Sequence, residues 1–191
     1  WGGPNADNVY RHARIDPSLR YRIRGRMHSC EEFILAMRAG FMHQERWGTL
    51  AEHNASDLGI AEGDDFEILL GGDGSEAGWL PIPEGVVMCS IREYYFDWRE
   101  LEPAMFTIEC LDGPEHLDRV TDADFVAKVD DAARGVERSM TYWNQYMLDE
   151  RALREDNSFH GSFALAKGLA AARYGFCFWD LGPDDALVIE S

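Results

Sequence analysis

Two stretches of strict alternation constrain this chain more than anything else in it. Val87, Cys89 and Ile91 interleave with Met88, Ser90 and Arg92, and Phe106, Ile108 and Cys110 interleave with Thr107 and Glu109. A period of two throws successive side chains to opposite faces, so both stretches predict strands. With Pro103 marking the return, residues 78–112 predict a single β-hairpin. Its connection is aromatic and acidic, with Glu93, Tyr94, Tyr95, Asp97, Trp98, Arg99, Glu100 and Glu102.

Similar patterns predict strands over residues 19–27, 66–70, 172–179 and 186–190, the last two separated by the turn Gly182-Pro183-Asp184. Residues 32–43 read as a strand broken at Gly40, and residues 44–65 as a polar connection of no clean period. In the strand over 19–27, Leu19, Tyr21 and Ile23 face one way and Arg20, Arg22, Arg24 and Arg26 the other. Two readings of those arginines stand: the solvated face of an edge strand, protected from edge pairing by charge, or a surface for anions or an acidic partner.

After residue 112 the pattern changes to that of a helix. Thr121 and Asp124 form a capping-box-like start. Phe125, Val129, Val136, Met140, Trp143 and Met147 then recur at helical spacing and predict a helix over about 121–150. Such a stripe is expected to be core, laid across an open face or edge of the sheet, and not a cofactor box. Residues 151–171 are read as a polar loop containing Asn157, Phe159, His160 and Gly161.

The expected fold is therefore mainly β, an α+β sandwich with one long amphipathic helix on it. Strands occupy 1–112, the helical segment 113–156, and returning strands 157–191. The glycine-rich opening and the terminal strand predict a portion of a longer polypeptide that continues into a further C-terminal domain.

Composition narrows the function classes. With 35 acids against 18 bases the net charge is −17, which argues against nucleic acid as a partner, because phosphate binding needs a basic stripe. No apolar run approaches the roughly 20 residues of a membrane-spanning helix. Cys30, Cys89, Cys110 and Cys177 contain no CxxC pair. They predict buried free thiols in a reducing cytoplasm and no zinc ribbon.

Motifs for chemistry are sparse. The glycines at 71, 72, 74 and 78 lead into Trp79-Leu80-Pro81 and carry Asp73 and Glu76, so they make a loop and no phosphate cradle. No GxSxG is present, and Ser162 lies in unsuitable surroundings. His43, Glu45 and His53 lack metal-ligand spacing, so neither a metal nor a cofactor is implied. The remaining candidate is an aromatic corner of Trp79, Arg92, Glu93, Tyr94, Tyr95, Asp97 and Trp98. Its rings could stack on a flat or sugar-like ligand while the acids and arginine bind polar groups or act as acid and base. The alternative is a structural corner that closes one end of the sandwich.

Three segments carry a resemblance: the Asp-Asn/Tyr-Arg opening over residues 7–25, the WLPIPEG segment with REYYFDW, and RYGFCFWDLGPDDALVIE at the end. Together they resemble the bacterial family called domain of unknown function 1214, in order and over essentially the whole chain. The resemblance implies a jelly-roll-like β-sandwich that continues into a further β-domain, and it brings no catalytic residues. Residues 28–57 depart from the family pattern. Two functions follow as expectations. One is an enzyme, or the substrate-binding portion of one, acting on a small hydrophobic or carbohydrate-like ligand. The other is a non-catalytic binding or assembly module that pairs with another domain or chain. An enzyme requires titratable groups converging in a pocket, whereas a module requires a bare apolar patch and a free strand edge.

Overall fold

Alternation sets which face a side chain takes, and the partner of each strand is then chosen by packing. The computed structural model describes residues 8–41, 44, 46–72, 77–113, 120–164, 169 and 172–188. Its strands are β1 (Asn8–Arg14), β2 (Tyr21–Arg26), β3 (Glu32–Arg38), β4 (Thr49–Asn54), β5 (Asp65–Leu70), β6 (Trp79–Leu80), β7 (Met88–Tyr94) and β8 (Met105–Cys110). The helix α1 (Asp122–Ala152) follows, then β9 (Ser158–Phe163) and β10 (Tyr174–Phe178).

One sheet has the order β1-β7-β3-β4, a second β6-β5-β2-β8, and β9 and β10 form a two-stranded sheet. The first two bury a shared core. Phe33 of β3 is fully buried, its ring centroid 5.5 Å from Phe66 and 5.4 Å from Phe106. Leu35, Met37, Cys89 and Ile91 from one sheet join Tyr21, Ile23, Ile68 and Leu70 from the other. The fold is thus mainly β and sandwich-like with one long helix, as the sequence predicts.

The expected hairpin is not formed. β7 pairs with β1 and β3, while β8 pairs with β2 in the opposite sheet. Residues 95–104 carry the chain across the end of the sandwich, a span longer than the two to five residues of ordinary hairpin loops.

The arginine strand is not an edge. β2 lies between β5 and β8, whose acids meet its arginines. Arg22 reaches Glu67 at 3.3 Å and Glu109 at 3.4 Å, Arg24 reaches Glu67 at 2.9 Å, and Arg26 reaches Asp65 at 3.5 Å. Arg20 forks onto Asp112 just beyond β8. This cross-strand ladder directs the arginines to intramolecular acids.

Three strands were hidden in segments that read as irregular. β1 is an edge strand on β7, and β4 runs through the polar connection, with a register shift opposite Met37 and Arg38. β9 replaces the expected loop around Phe159 and His160. There Gly161 pairs with Gly175, and the Phe159 ring covers both bare positions. At the C-terminal end, residues 185–188 are irregular where a strand was expected, and 189–191 lie outside the described residues.

Gly25 shows how tightly the sandwich closes. A Cβ there would sit 2.3 Å from the Met105 carbonyl oxygen and 2.4 Å from the Phe66 ring. Gly25→Ala is expected to cost roughly 2 kcal/mol through this overpacking, measurable by urea unfolding. A neutral result would mean that β8 does not close on β2 as described.

Candidate functional site

The aromatic corner is distributed over separate surfaces. Along β7, Arg92 and Tyr94 point away from the sandwich core, while Glu93 points in and is fully buried. Outside, Arg92 donates through Nε and Nη2 to Asn8 Oδ1 at 2.9 and 2.6 Å. Its guanidinium also lies 5.7 Å from the Tyr10 ring centroid and 5.1 Å from that of Tyr94, a cation-π clamp joining β1 to β7.

Inside, Glu93 gathers the crossover. Its carboxyl accepts from Arg11 Nε at 2.6 Å and from the Tyr95 hydroxyl at 2.5 Å, and Asn8 Nδ2 donates to its carbonyl. The Tyr95 oxygen in turn accepts from the Ala104 amide at 2.8 Å, tying the two ends of the 95–104 connection together. Arg11 Nη2 donates to the Ala104 carbonyl at 3.0 Å. Burial first, and then the bond to Glu93, push the Tyr95 hydroxyl pKa well up. A phenol held protonated in this way is a hydrogen-bond strut.

The other predicted residues lie elsewhere. Trp98 is partly exposed and packs on Tyr95 at 5.4 Å. Asp97 caps a short 3₁₀ turn and is bonded to Arg99, whose side chain first, and then its amide, hold the Asp97 carboxyl below the usual range. Trp79 sits on β6, in the opposite sheet from β7, under the Arg20 guanidinium at 5.7 Å. Tyr95, Trp98, Glu93 and Asp97 therefore build one corner, and Trp79, Arg92 and Tyr94 belong to other faces.

Two of the four cysteines are buried, Cys30 and Cys89; Cys110 is exposed and Cys177 half-buried, which corrects the expectation of four buried thiols. All four are free. Burial raises the Cys30 thiol to about 11. Iodoacetamide is expected to label Cys110 first and to spare Cys30 until the chain unfolds, as read by peptide mass spectrometry. Because the folded pKa lies above the ordinary value of 9.0, the Cys30 contribution to stability is complete below pH 9 and lost between pH 9 and 11. Early labelling of Cys30 would contradict its placement in the core.

The larger departure concerns α1. Its limits and its capping box between Thr121 and Asp124 are as the sequence predicts. Yet none of its residues is buried. Phe125 is 63% exposed, Val129 51%, Val136 67%, Met140 65% and Met147 39%, while Trp143 alone of the stripe is half-buried, against Tyr142 and Tyr146. The contacts run along another side: Asp131 to Arg14 at 3.1 Å, Tyr142 to Trp47 at 5.3 Å and Tyr146 to Phe176 at 6.1 Å. At about 100° per residue, that packed side is turned roughly a quarter turn from the apolar stripe. The expectation that the stripe is core is overturned, because the side carrying Tyr142 and Tyr146 is the one turned to Trp47 and β10. The signal was present in Tyr142 and Tyr146, which sit off the stripe and give this helix two faces to bury.

A shallow, open hollow of about 500 Å³ lies on α1, lined by Arg134, Glu137, Arg138, Thr141 and Tyr142. Among the described residues no group of three His, Cys, Asp or Glu side chains is placed to hold a metal ion. His43 and Glu45, two of the three residues of the weak metal candidate, lie outside the described residues. Among the described residues no helix is long and apolar enough to cross a membrane.

These features define a class, a mainly-β sandwich carrying a long helix with an uncovered apolar side. A solved structure of an uncharacterised protein from Burkholderia cenocepacia has a similar fold, with a TM-score of 0.62 and 24% identity over 71% of this chain. The matched region is 38% of that protein's chain, so this chain corresponds to well under half of its length. No family model and no curated protein matches the sequence.

Proposed function

We propose that the chain is a non-catalytic binding and assembly module whose exposed helical side pairs with another domain or chain. The bare stripe on α1 carries this reading. It extends from Phe125 to Met147, roughly 33 Å at 1.5 Å per residue, and apart from the half-buried Trp143 it leaves large apolar side chains in water. The outer side of β8 supports it: Met105 and Ile108 are exposed, and among the described residues β8 pairs with β2 alone. The enzymic reading, on a small hydrophobic or carbohydrate-like ligand, gains no comparable observation, since Glu93, Tyr95 and Asp97 are engaged in bonds within the chain.

The same proposal extends to the finer expectations. It takes the two sheets as jelly-roll-like, the chain as a member of the bacterial family named above, and residues 157–191 as leading into a further β-domain. The four free thiols fit a cytoplasmic location. An apolar dye tests the central part: the chain should bind it, and Val129→Asp with Met140→Asp should abolish the signal without lowering Tm. Dye binding that survives both changes, or a large fall in Tm, would contradict the proposal.

A further inference from the structure

We infer that the occupant of the α1 stripe is a second copy of this chain, laid antiparallel about Val136; the inference rests on the assembly reading above. With Ala132 included, the stripe residues from Phe125 to Met147 are spaced 4, 3, 4, 4, 3 and 4. Eleven residues per three turns nearly matches the α-helical period, so the stripe runs straight along the helix and suits a straight partner.

The spacing reads the same in both directions, and the sizes on the two sides of Val136 are complementary. When the helix is reversed on itself about Val136, Ala132 falls opposite Met140 of the second copy. Val129 falls opposite its Trp143, and Phe125 opposite its Met147. A small or medium side chain thus meets a larger one at each inner level, as close packing requires.

The ends agree in charge. Asp122 stands in the first turn and Arg151, which also forks onto Asp156 of its own chain at 2.8 Å, in the last, on nearly the same side as the stripe. Reversal brings each acid to the other copy's base and also opposes the two helix dipoles. The stripe alone is smaller than the roughly 800 Å² per partner of a standard interface, and each copy carries a net charge of −17. The dimer is therefore of modest affinity, with a Kd on the order of 1–100 µM, and tightens as salt screens the repulsion.

Sedimentation equilibrium of the chain at rising concentration and two ionic strengths tests this. The expected result is a monomer–dimer equilibrium that strengthens in salt. Val136→Arg should abolish the dimer with Tm unchanged. Asp122→Arg and Arg151→Asp should each weaken it several-fold, and the double variant should recover most of the loss, which a purely structural role would not produce. A monomer throughout that still binds the apolar dye on α1 overturns the second copy and leaves the assembly reading standing. A monomer with no dye binding and an α1 protected from hydrogen exchange overturns both.

Discussion

Glu93→Ala is expected to destabilise the fold by about 2–4 kcal/mol, from an unpaired buried hydroxyl and the space the side chain leaves. The Glu93 side chain is fully buried, and two donors converge on it from different parts of the chain, Arg11 on β1 and Tyr95 at the start of the crossover. Truncation leaves the Tyr95 hydroxyl without its acceptor in the core and releases Arg11, whose side chain is partly exposed and can recover some hydration. Chemical denaturation reads the change directly. A loss under about 1 kcal/mol would mean that Glu93 is held for some purpose other than stability.

Tyr95→Ala is expected to cost a similar amount, about 3–5 kcal/mol, because a ring that is only 3% exposed is replaced by a cavity. The hydroxyl adds its own part through Glu93 and the Ala104 amide. Tyr95→Phe keeps the ring and should lose only about 1–2 kcal/mol, the cost of leaving buried partners unpaired. Since Glu93 and Tyr95 share one bond, the double variant should cost less than the two singles together. A Tyr95→Ala chain with unaltered Tm would return the corner to candidacy as a ligand site.

What could be read from the sequence follows from how local each signal is. The α1 limits were legible because Thr121 and Asp124 satisfy each other within one turn. The strand character and facing of β2, β7 and β8 were legible because alternation is also local. The partner of β8 was not, since the same alternation serves a hairpin or a crossover, and only the buried Tyr95-Glu93 strut distinguishes them. β9 was illegible because Gly161 argues against a strand until Phe159 is seen to cover it. In the candidate corner, sequence proximity brought Arg92, Glu93 and Tyr94 together, and the pleat of β7 separated them again. The stripe on α1 was recognised as apolar but assigned to the wrong neighbour, because periodicity measures that a face is apolar and says nothing about what covers it.

The most direct test of the assembly reading is the native mass of the protein from its natural source, combined with hydrogen exchange along α1 in that state. The expected result is a particle heavier than its own polypeptide, read by denaturing mass, with amides between Phe125 and Met147 protected, and their exchange accelerated when the particle is dissociated. A monomer whose α1 stripe stays open to solvent would contradict it.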